Sequence, residues 1–203
     1  MTAPHVTAVP PPEGARPAMH EFILGGQRSG KSRCAEVRAR AWLEVAGHEA
    51  ALLATALPGD AEMRARIERH RQDRAARVPG LVTHEVPIDL AHAIAAHSRG
   101  ERLLVVDCLT LWATNWLMPL DGAPAAPARW DAAVQGLLQA LAAAPGPVVL
   151  VSNEIGLGLS PMTREARHFV DELGRLHQAV AAQCARVTLM VAGLEMTVKP
   201  DAR

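Results

Sequence analysis

Eight consecutive residues near the start of the chain have the spacing of a phosphate-binding loop. They fit the pattern G-x-x-x-x-G-K-[ST] and are Gly25, Gly26, Gln27, Arg28, Ser29, Gly30, Lys31 and Ser32. Glycines let the backbone turn its N–H groups toward an anion, and the start of the following helix adds partial positive charge. Lys31 is expected to reach the β- and γ-phosphates, and Ser32 is expected to ligate Mg²⁺. The alternative, a chance glycine-rich turn, is disfavoured by the apolar run before the motif and the helical stretch after it.

A carboxylate at the end of a later apolar run could complete the metal site. Residues 103–106 read LLVV, the pattern of a buried strand, and Asp107 follows them directly. Ligands of open α/β sheets bind at the carboxyl ends of the strands. The pattern therefore indicates that Asp107 holds Mg²⁺ together with Ser32, as phosphoryl transfer requires. The alternative is that Asp107 only caps the helix that starts near residue 109.

A helix dense in arginine carries the strongest candidate for a nucleophile. Residues 62–77 read EMRARIERHRQDRAAR, with six arginines around His70. At helical spacing His70 shares a face with Arg66 and Arg74. Neighbouring guanidinium groups would favour the neutral imidazole, whose lone pair can attack phosphorus, and they could bind the phosphate oxygens. The alternative is a solvated helix stabilised by Glu–Arg pairs.

A second glycine-containing loop follows the apolar run at residues 148–151. It reads Asn153-Glu154-Ile155-Gly156-Leu157-Gly158, and its strand should end at the same sheet edge as the phosphate loop. Asn153 and Glu154 could order a water, a metal or a substrate hydroxyl, which makes them candidates for substrate contact. The alternative is a plain strand-to-helix connection with Asn153 in a turn.

Composition excludes several classes of protein. The chain has 203 residues, 49% of them hydrophobic, which is enough for a buried core. Its 21 basic and 21 acidic side chains balance, which argues against a general nucleic-acid binder. Three separated cysteines without a C-x-x-C pair argue against zinc and against a disulfide framework, and they suit the cytoplasm. No run approaches the length of a membrane helix, so membrane insertion is not expected.

Strand and helix patterns alternate along the chain. Apolar runs predict strands near 20–25, 49–55, 81–86, 102–107, 147–152 and 186–192, and an antiparallel edge strand at 194–199. Helical patterns fall near 31–46, 60–77, 88–98, 109–118, 129–143 and 164–184. This alternation predicts an α/β fold with a mostly parallel sheet and helices on both faces, which with the phosphate loop indicates the P-loop NTPase-like (RecA-like) class. The Pro-rich residues 1–18 are expected to lack fixed structure, leaving 19–203 as one catalytic domain.

Taken together, these motifs resemble the bifunctional adenosylcobinamide kinase / adenosylcobinamide-phosphate guanylyltransferase family of cobalamin biosynthesis. The resemblance covers residues 22 to 199. It is carried by the GGQRSGKS loop at 25–32, by ATA at 54–56 with RIERHR at 66–71, by VDCLTLW at 106–112 with Asn115, and by SNEIGLGLSP at 152–161. The phosphate loop is generic, whereas its combination with the other segments is specific.

The resemblance implies two reactions. The hydroxyl of adenosylcobinamide would be phosphorylated with ATP or GTP as donor. GMP would then pass from GTP to adenosylcobinamide phosphate through a GMP-histidine intermediate on His70. Residues matching family positions that contact nucleotide are Ala54, Thr55, Ala56, Arg71, Gln72, Asp73, Arg74 and Glu85. The resemblance also implies a homotrimer and a small-molecule corrinoid substrate.

Two other classes compete with this interpretation. A simple P-loop kinase of a small molecule would leave His70 on a solvated face without a chemical role. A non-catalytic NTP-binding switch would hydrolyse nucleotide slowly and would form no covalent adduct. The arginine-rich His70 helix and the 153–161 segment together argue against both.

Overall fold

The computed structural model describes residues 19–200, in which strands and helices alternate except for two consecutive helices in the middle and two consecutive strands at the end. The strands are β1 Glu21–Gly25, β2 Glu49–Ala54, β3 Leu81–Glu85, β4 Arg102–Asp107, β5 Val148–Asn153, β6 Arg186–Val191 and β7 Leu194–Lys199. The helices are α1 Lys31–Leu43, α2 Ala61–Arg77, α3 Leu90–His97, α4 Leu109–Leu117, α5 Pro127–Ala143 and α6 Arg164–Gln183. The proposed tail, residues 1–18, lies outside the described residues.

The strands form one seven-stranded sheet in the order β3-β2-β4-β5-β1-β6-β7. Strands β1 to β6 are parallel, and β7 pairs antiparallel with β6. The predicted fold class is therefore confirmed, including the antiparallel edge strand at the C-terminus. Each predicted element is present, and the boundaries differ by at most a few residues.

Alternating side chains of the strands enter two separate cores. Phe22, Leu104 and Leu150 pack on the face covered by α3, α4, α5 and α6. Ile23 and Val105 pack on the opposite face, which α1 covers. Burial on both faces explains why the central strands read as continuous apolar runs rather than as alternating ones.

Local sequence signals set the ends of the helices. The side chain of Asp60 accepts a hydrogen bond from the Met63 N–H and caps α2, and Thr163 caps α6 by accepting from the Ala166 N–H. Pro127 occupies the first turn of α5, where its missing N–H costs nothing. These signals explain why the helical patterns of the sequence located the helices closely.

Candidate nucleotide-binding site

The registers of the parallel strands bring five predicted site residues to one edge of the sheet. Gly25 is level with Asn153, and Ala54 is level with both Asp107 and Glu85. Since β4 and β5 are neighbours, one continuous edge connects the phosphate loop to Glu85. Ligands of open α/β sheets bind at this carboxyl edge.

The phosphate loop adopts a conformation that depends on its glycines. Gly25 has a φ of 153° and Gly30 a φ of 102°, both in the region that side chains disfavour. A Cβ on Gly25 would lie 2.5 Å from the Met190 carbonyl oxygen and 2.6 Å from Ser29 Oγ. Gly30 is the N-cap of α1 and offers no capping side chain. The first N–H groups of α1 can therefore donate hydrogen bonds to a bound phosphate.

Lys31 folds back over this loop. Its Nζ donates to the Gly26 carbonyl oxygen at 2.6 Å and to Ser29 Oγ at 3.4 Å. The residue is only 7% exposed, and these hydrogen bonds hold its ammonium group at the loop. A buried ammonium with several donors is suited to bind the phosphate oxygens.

Asp107 at the end of β4 and Lys31 at the start of α1 both influence the thiol of Cys108. Burial is the main cause that raises the pKa of the Cys108 thiol to about 12, the Asp107 carboxylate adds to the rise, and the Lys31 ammonium opposes it. Both charges therefore act on the same sulfur atom. Magnesium prefers hard oxygen ligands and is often held by one or two protein groups plus phosphates and water. The Asp107 carboxylate and the Ser32 hydroxyl fit that requirement.

Thr55 is buried, and its side chain forms hydrogen bonds within the domain. The residue is 0% exposed, and its Oγ1 donates to the Cys108 carbonyl oxygen at 2.7 Å and accepts from the Cys108 N–H at 2.9 Å. Its carbonyl oxygen accepts a hydrogen bond from Asn115 Nδ2 at 2.8 Å, and the same amide donates to the Pro87 carbonyl oxygen. Thr55 thus connects the end of β2 to the end of β4, which the sequence did not reveal.

His70 lies on an exposed part of α2. Its neighbour one turn later, Arg74, is buried although the two share a face by helical spacing. The C-terminal end of α2 is joined to α1 by an ion pair between Arg77 and Glu36, with an Nη1–Oε2 distance of 2.9 Å. His70 is thus accessible, while the end of its helix is attached to the domain.

The other predicted nucleotide contacts on α2 and β3 bind one another. Arg71 forms an ion pair with Glu85, and Asp73 forms one with Arg77 at 3.1 Å. Gln72 donates to Glu68 at 2.8 Å. The Arg71–Glu85 pair is exposed on both sides, so a phosphate could replace the carboxylate at little cost.

A polar cluster beside the phosphate loop was only partly found from the sequence. Glu154 donates its backbone N–H to the Gly25 carbonyl oxygen at 3.0 Å, which places it directly beside the loop. Behind it His177 of α6 lies with Nδ1 3.6 Å from Glu154 Oε2 and Nε2 2.8 Å from Ser152 Oγ. The sequence indicated Glu154, but His177 is spaced like the apolar residues of α6 and gave no separate signal.

Two further findings concern residues 19–200 as a whole. In that range no helix combines the length and the apolar character needed to cross a membrane. The same residues contain no cluster of three or more His, Cys, Asp or Glu side chains able to hold a metal by themselves.

Comparisons with known proteins agree with one another. The sequence profile of the family described as cobinamide kinase / cobinamide phosphate guanyltransferase matches residues 21–198. The bifunctional adenosylcobalamin biosynthesis protein CobP of Pseudomonas aeruginosa is 46% identical over 183 residues, 90% of this chain and 99% of that protein. The corresponding protein CobU of Escherichia coli K12 is 36% identical over 187 residues, 88% of this chain and 98% of that protein.

A solved structure supports the fold alone. The flagellar accessory protein FlaH of Methanocaldococcus jannaschii matches with a TM-score of 0.50 at 11% sequence identity, over 91% of this chain and 80% of that chain. At such low identity the likeness concerns the arrangement of strands and helices, and no activity follows from it.

Proposed function

The chain belongs to the cobinamide kinase / cobinamide phosphate guanyltransferase family and is a bifunctional enzyme of cobalamin biosynthesis, and from that premise we propose how its residues divide the two reactions. The observation that carries the proposal is the shared sheet edge. The phosphate loop and Asp107 lie there, and β2 ends beside them before the chain enters the His70 helix. One nucleotide site would thus serve both a kinase and a nucleotidyl transfer.

In the kinase step the phosphate loop holds ATP or GTP. The N–H groups from Gly25 to Ser32 and the Lys31 ammonium bind the phosphates and stabilise the charge that develops on them. Ser32 and Asp107 would hold a Mg²⁺ ion, which would neutralise part of the phosphate charge. The hydroxyl oxygen of the corrinoid forms a bond to the γ-phosphorus, and the bond from that phosphorus to the β-phosphate oxygen breaks.

In the transfer step His70 acts as a nucleophile. An imidazole nitrogen forms a bond to the α-phosphorus of GTP, and pyrophosphate leaves with the electrons of the broken P–O bond. A phosphate oxygen of cobinamide phosphate then attacks the same phosphorus, and the P–N bond to His70 breaks. Arginines of α2 would bind the phosphate oxygens during both displacements. The exposure of His70 supports this role, since a buried imidazole could not reach a nucleotide.

The test uses labelled nucleotide with the purified full chain. The protein is incubated with Mg²⁺ and GTP labelled at the α-phosphorus or at the γ-phosphorus, then denatured and counted. We expect acid-labile label from the α position alone, and its loss in a His70→Ala variant. His92→Ala is the matched control, because His92 is also an exposed histidine on a helix.

Three alternatives to this proposal predict different outcomes of this labelling experiment. Label that persists in His70→Ala would assign the nucleophile to another residue. A wild-type chain that phosphorylates cobinamide but takes up no α-label would be a simple kinase. Binding of GTP without either activity would indicate an NTP-binding switch.

We also propose a homotrimer, on the basis of the family resemblance. Strand β7 forms one edge of the sheet, and its Leu194, Met196 and Val198 side chains are exposed. Apolar edge strands are surfaces that proteins normally cover. Light scattering should give a mass three times that of the 21.7 kDa chain, and a single-chain mass at micromolar concentration would contradict the proposal.

A further inference from the structure

A chain of polar groups runs from the interior of the domain to the phosphate loop. The Asn153 N–H donates to Thr110 Oγ1 at 2.7 Å, and Thr110 Oγ1 lies 2.9 Å from Ser152 Oγ. Ser152 Oγ lies 2.8 Å from His177 Nε2, and His177 Nδ1 faces Glu154 Oε2 at 3.6 Å. Three parts of the chain that are far apart in sequence, α4, α6 and β5 with the residue that follows it, thus meet in one line of donors and acceptors.

The inner members of the chain are buried and its last member is not. Ser152 is 0% exposed and His177 is 6% exposed, whereas the Glu154 side chain is 24% exposed. Polar groups in a core are costly unless each has a partner, and here each one does. The line therefore leads to a carboxylate that solvent or substrate can reach.

The charge of Glu154 selects one direction for the hydrogen bonds. An ionised carboxylate only accepts, so the facing His177 Nδ1 carries the proton in the neutral ring. Nε2 then accepts from the Ser152 hydroxyl, whose oxygen accepts from the Thr110 hydroxyl. Thr110 Oγ1 in turn accepts from the Asn153 N–H, which is a donor in every state. One arrangement satisfies all five groups, and it aims the imidazole N–H at Glu154.

The position of Glu154 at the sheet edge suits a group that contacts the acceptor hydroxyl. Strand β5 is between β1 and β4, so the residue after β5 lies between the phosphate loop and Asp107. Its N–H binds the Gly25 carbonyl oxygen, and its Oε1 accepts from the Gly156 N–H at 2.7 Å. A carboxylate has about four lone-pair positions, so it can accept a further hydrogen bond from a substrate.

We propose that Glu154 is the general base of the kinase step and that His177 is the residue that positions it. The proposal rests on the proposed function. As the corrinoid oxygen bonds to the γ-phosphorus, its O–H bond breaks and the proton moves to Glu154. The bond between the γ-phosphorus and the β-phosphate oxygen breaks, and the nucleoside diphosphate leaves with that electron pair. Release of the proton to solvent restores the Glu154 carboxylate.

The surroundings of His177 favour a positioning role over proton uptake by the ring. Burial lowers the pKa of His177, and the nearby Glu154 carboxylate opposes that effect. From β1 the ring meets the edge of Phe22 at a centroid distance of 5.4 Å, and from β5 it meets Ser152. Glu154 is thus the charged group that these contacts place against the ring.

The two reactions differ in their need for a base. The kinase acceptor is a hydroxyl, which must lose its proton, and general-base catalysis contributes roughly a hundredfold or more to such steps. The transferase acceptor is a phosphate monoester, which already carries between about −1.5 and −2 charges at pH 7. Loss of the base should therefore lower the ratio of kinase rate to transfer rate.

The test measures that ratio in matched variants. Kinase rates are taken with cobinamide and γ-labelled ATP, and transfer rates with cobinamide phosphate and α-labelled GTP, each at saturation. For Glu154→Gln we expect the ratio to fall about a hundredfold with KM for ATP changed less than about threefold. Glu154→Asp, which moves the carboxylate back by one methylene, should lie between Gln and wild type. Glu44→Gln, an exposed residue just after α1, is the control.

The ratio of kinase rate to transfer rate also tests the positioning role of His177. Gln offers a donor nitrogen and an acceptor oxygen where the neutral imidazole has a donor and an acceptor nitrogen, whereas Leu offers neither. His177→Gln should keep more of the kinase kcat than His177→Leu, with KM for ATP similar in both. Equal loss of both reactions, or an unchanged ratio in Glu154→Gln and Glu154→Asp, would overturn the proposal. A wild-type chain without kinase activity would instead overturn the proposed function itself.

Discussion

The backbone N–H of Gly193 donates to the carbonyl oxygen of Ser29 at 3.0 Å and joins the β6–β7 turn to the phosphate loop. The same hairpin is attached to the helix that follows the loop, since Arg38 of α1 binds Glu195 Oε2 at 2.5 Å. Arg38 also binds Glu21 of β1 at 2.8 Å. The antiparallel hairpin therefore supports the loop from its outer side.

We expect Gly193→Ala to weaken nucleotide binding. Gly193 has a φ of 83°, so a side chain there strains the turn by about 1 kcal/mol and shifts the N–H that binds Ser29. The dissociation constant for GTP, measured by calorimetry, should rise several-fold. Gly47→Ala is the control, because Gly47 has a φ of 84° and equally open surroundings but lies beyond the opposite end of α1 from the loop. Equal affinities in the two variants would show that the contact does not matter for binding.

Replacement of Asp107 by Asn should affect the metal more than the nucleotide. The variant keeps the size of the side chain but removes the charge expected to hold Mg²⁺. The kinase rate should fall on the order of a hundredfold, and half-maximal rate should need more Mg²⁺. GTP binding in the presence of EDTA should change little. Asp121→Asn, in the exposed loop after α4, is the control, and a matching Mg²⁺ titration in Asp107→Asn would contradict the metal role.

Asn115→Ala should destabilise the fold near the site. The amide of Asn115 donates to two carbonyl oxygens, those of Thr55 and Pro87, and alanine leaves both without that donor. The free energy of unfolding in urea should fall by about 1–3 kcal/mol. Thr114→Val removes a hydroxyl that donates within α4 and should cost less. Wild-type stability in Asn115→Ala would mean that water replaces the amide.

Stability should fall at acidic pH, in part because of His20. Its Nδ1 accepts from the Val148 N–H at 3.0 Å and its Nε2 donates to the Leu141 carbonyl oxygen at 2.9 Å, so the buried ring fits only as the neutral form. Burial lowers the pKa of His20 below its ordinary value of 6.5, which the hydrogen bond to Leu141 partly opposes. The unfolded chain thus takes up the proton more readily than the folded one.

Because the unfolded chain binds this proton more readily, the free energy of unfolding falls as the pH is lowered. The stabilising contribution of neutral His20 is complete above the unfolded value of 6.5 and is lost as the pH falls through the lower folded value. Urea unfolding at several pH values from 7.5 to 5 should show this decline, and His20→Gln should show a smaller one. His92→Gln, at an exposed position, should keep the wild-type pH dependence. A steeper decline in His20→Gln would refute the assignment.

Part of the candidate site was predictable because its signals are local. The phosphate loop lies within eight residues, and the expected roles of its glycines, lysine and serine follow from the residue types themselves. Asp107 was predictable because an apolar strand ends there. The placement of both at one edge followed from the parallel sheet, since parallel strands end on the same side.

Other parts of the site depend on contacts between distant residues. Thr55 was expected at the end of a strand and among the nucleotide contacts, and its hydrogen bonds to the Cys108 backbone at the end of β4 could not be read from the sequence. Arg71 and Glu85 were each expected to contact nucleotide, and their ion pair with each other could not be read from the sequence. His177 is placed in the core by the helical period, yet it meets Ser152 and Glu154 there.

The sequence by itself determined the strand–helix alternation, the phosphate loop and the family, because periodicity and motif spacing act within one turn or one strand. Only the tertiary structure decided that β5 lies between β1 and β4, that His177 lies behind Glu154, and that the β6–β7 turn supports Ser29. These contacts arise from the order in which distant strands pair. That order is set by packing over both faces of the sheet, which no short stretch of sequence encodes.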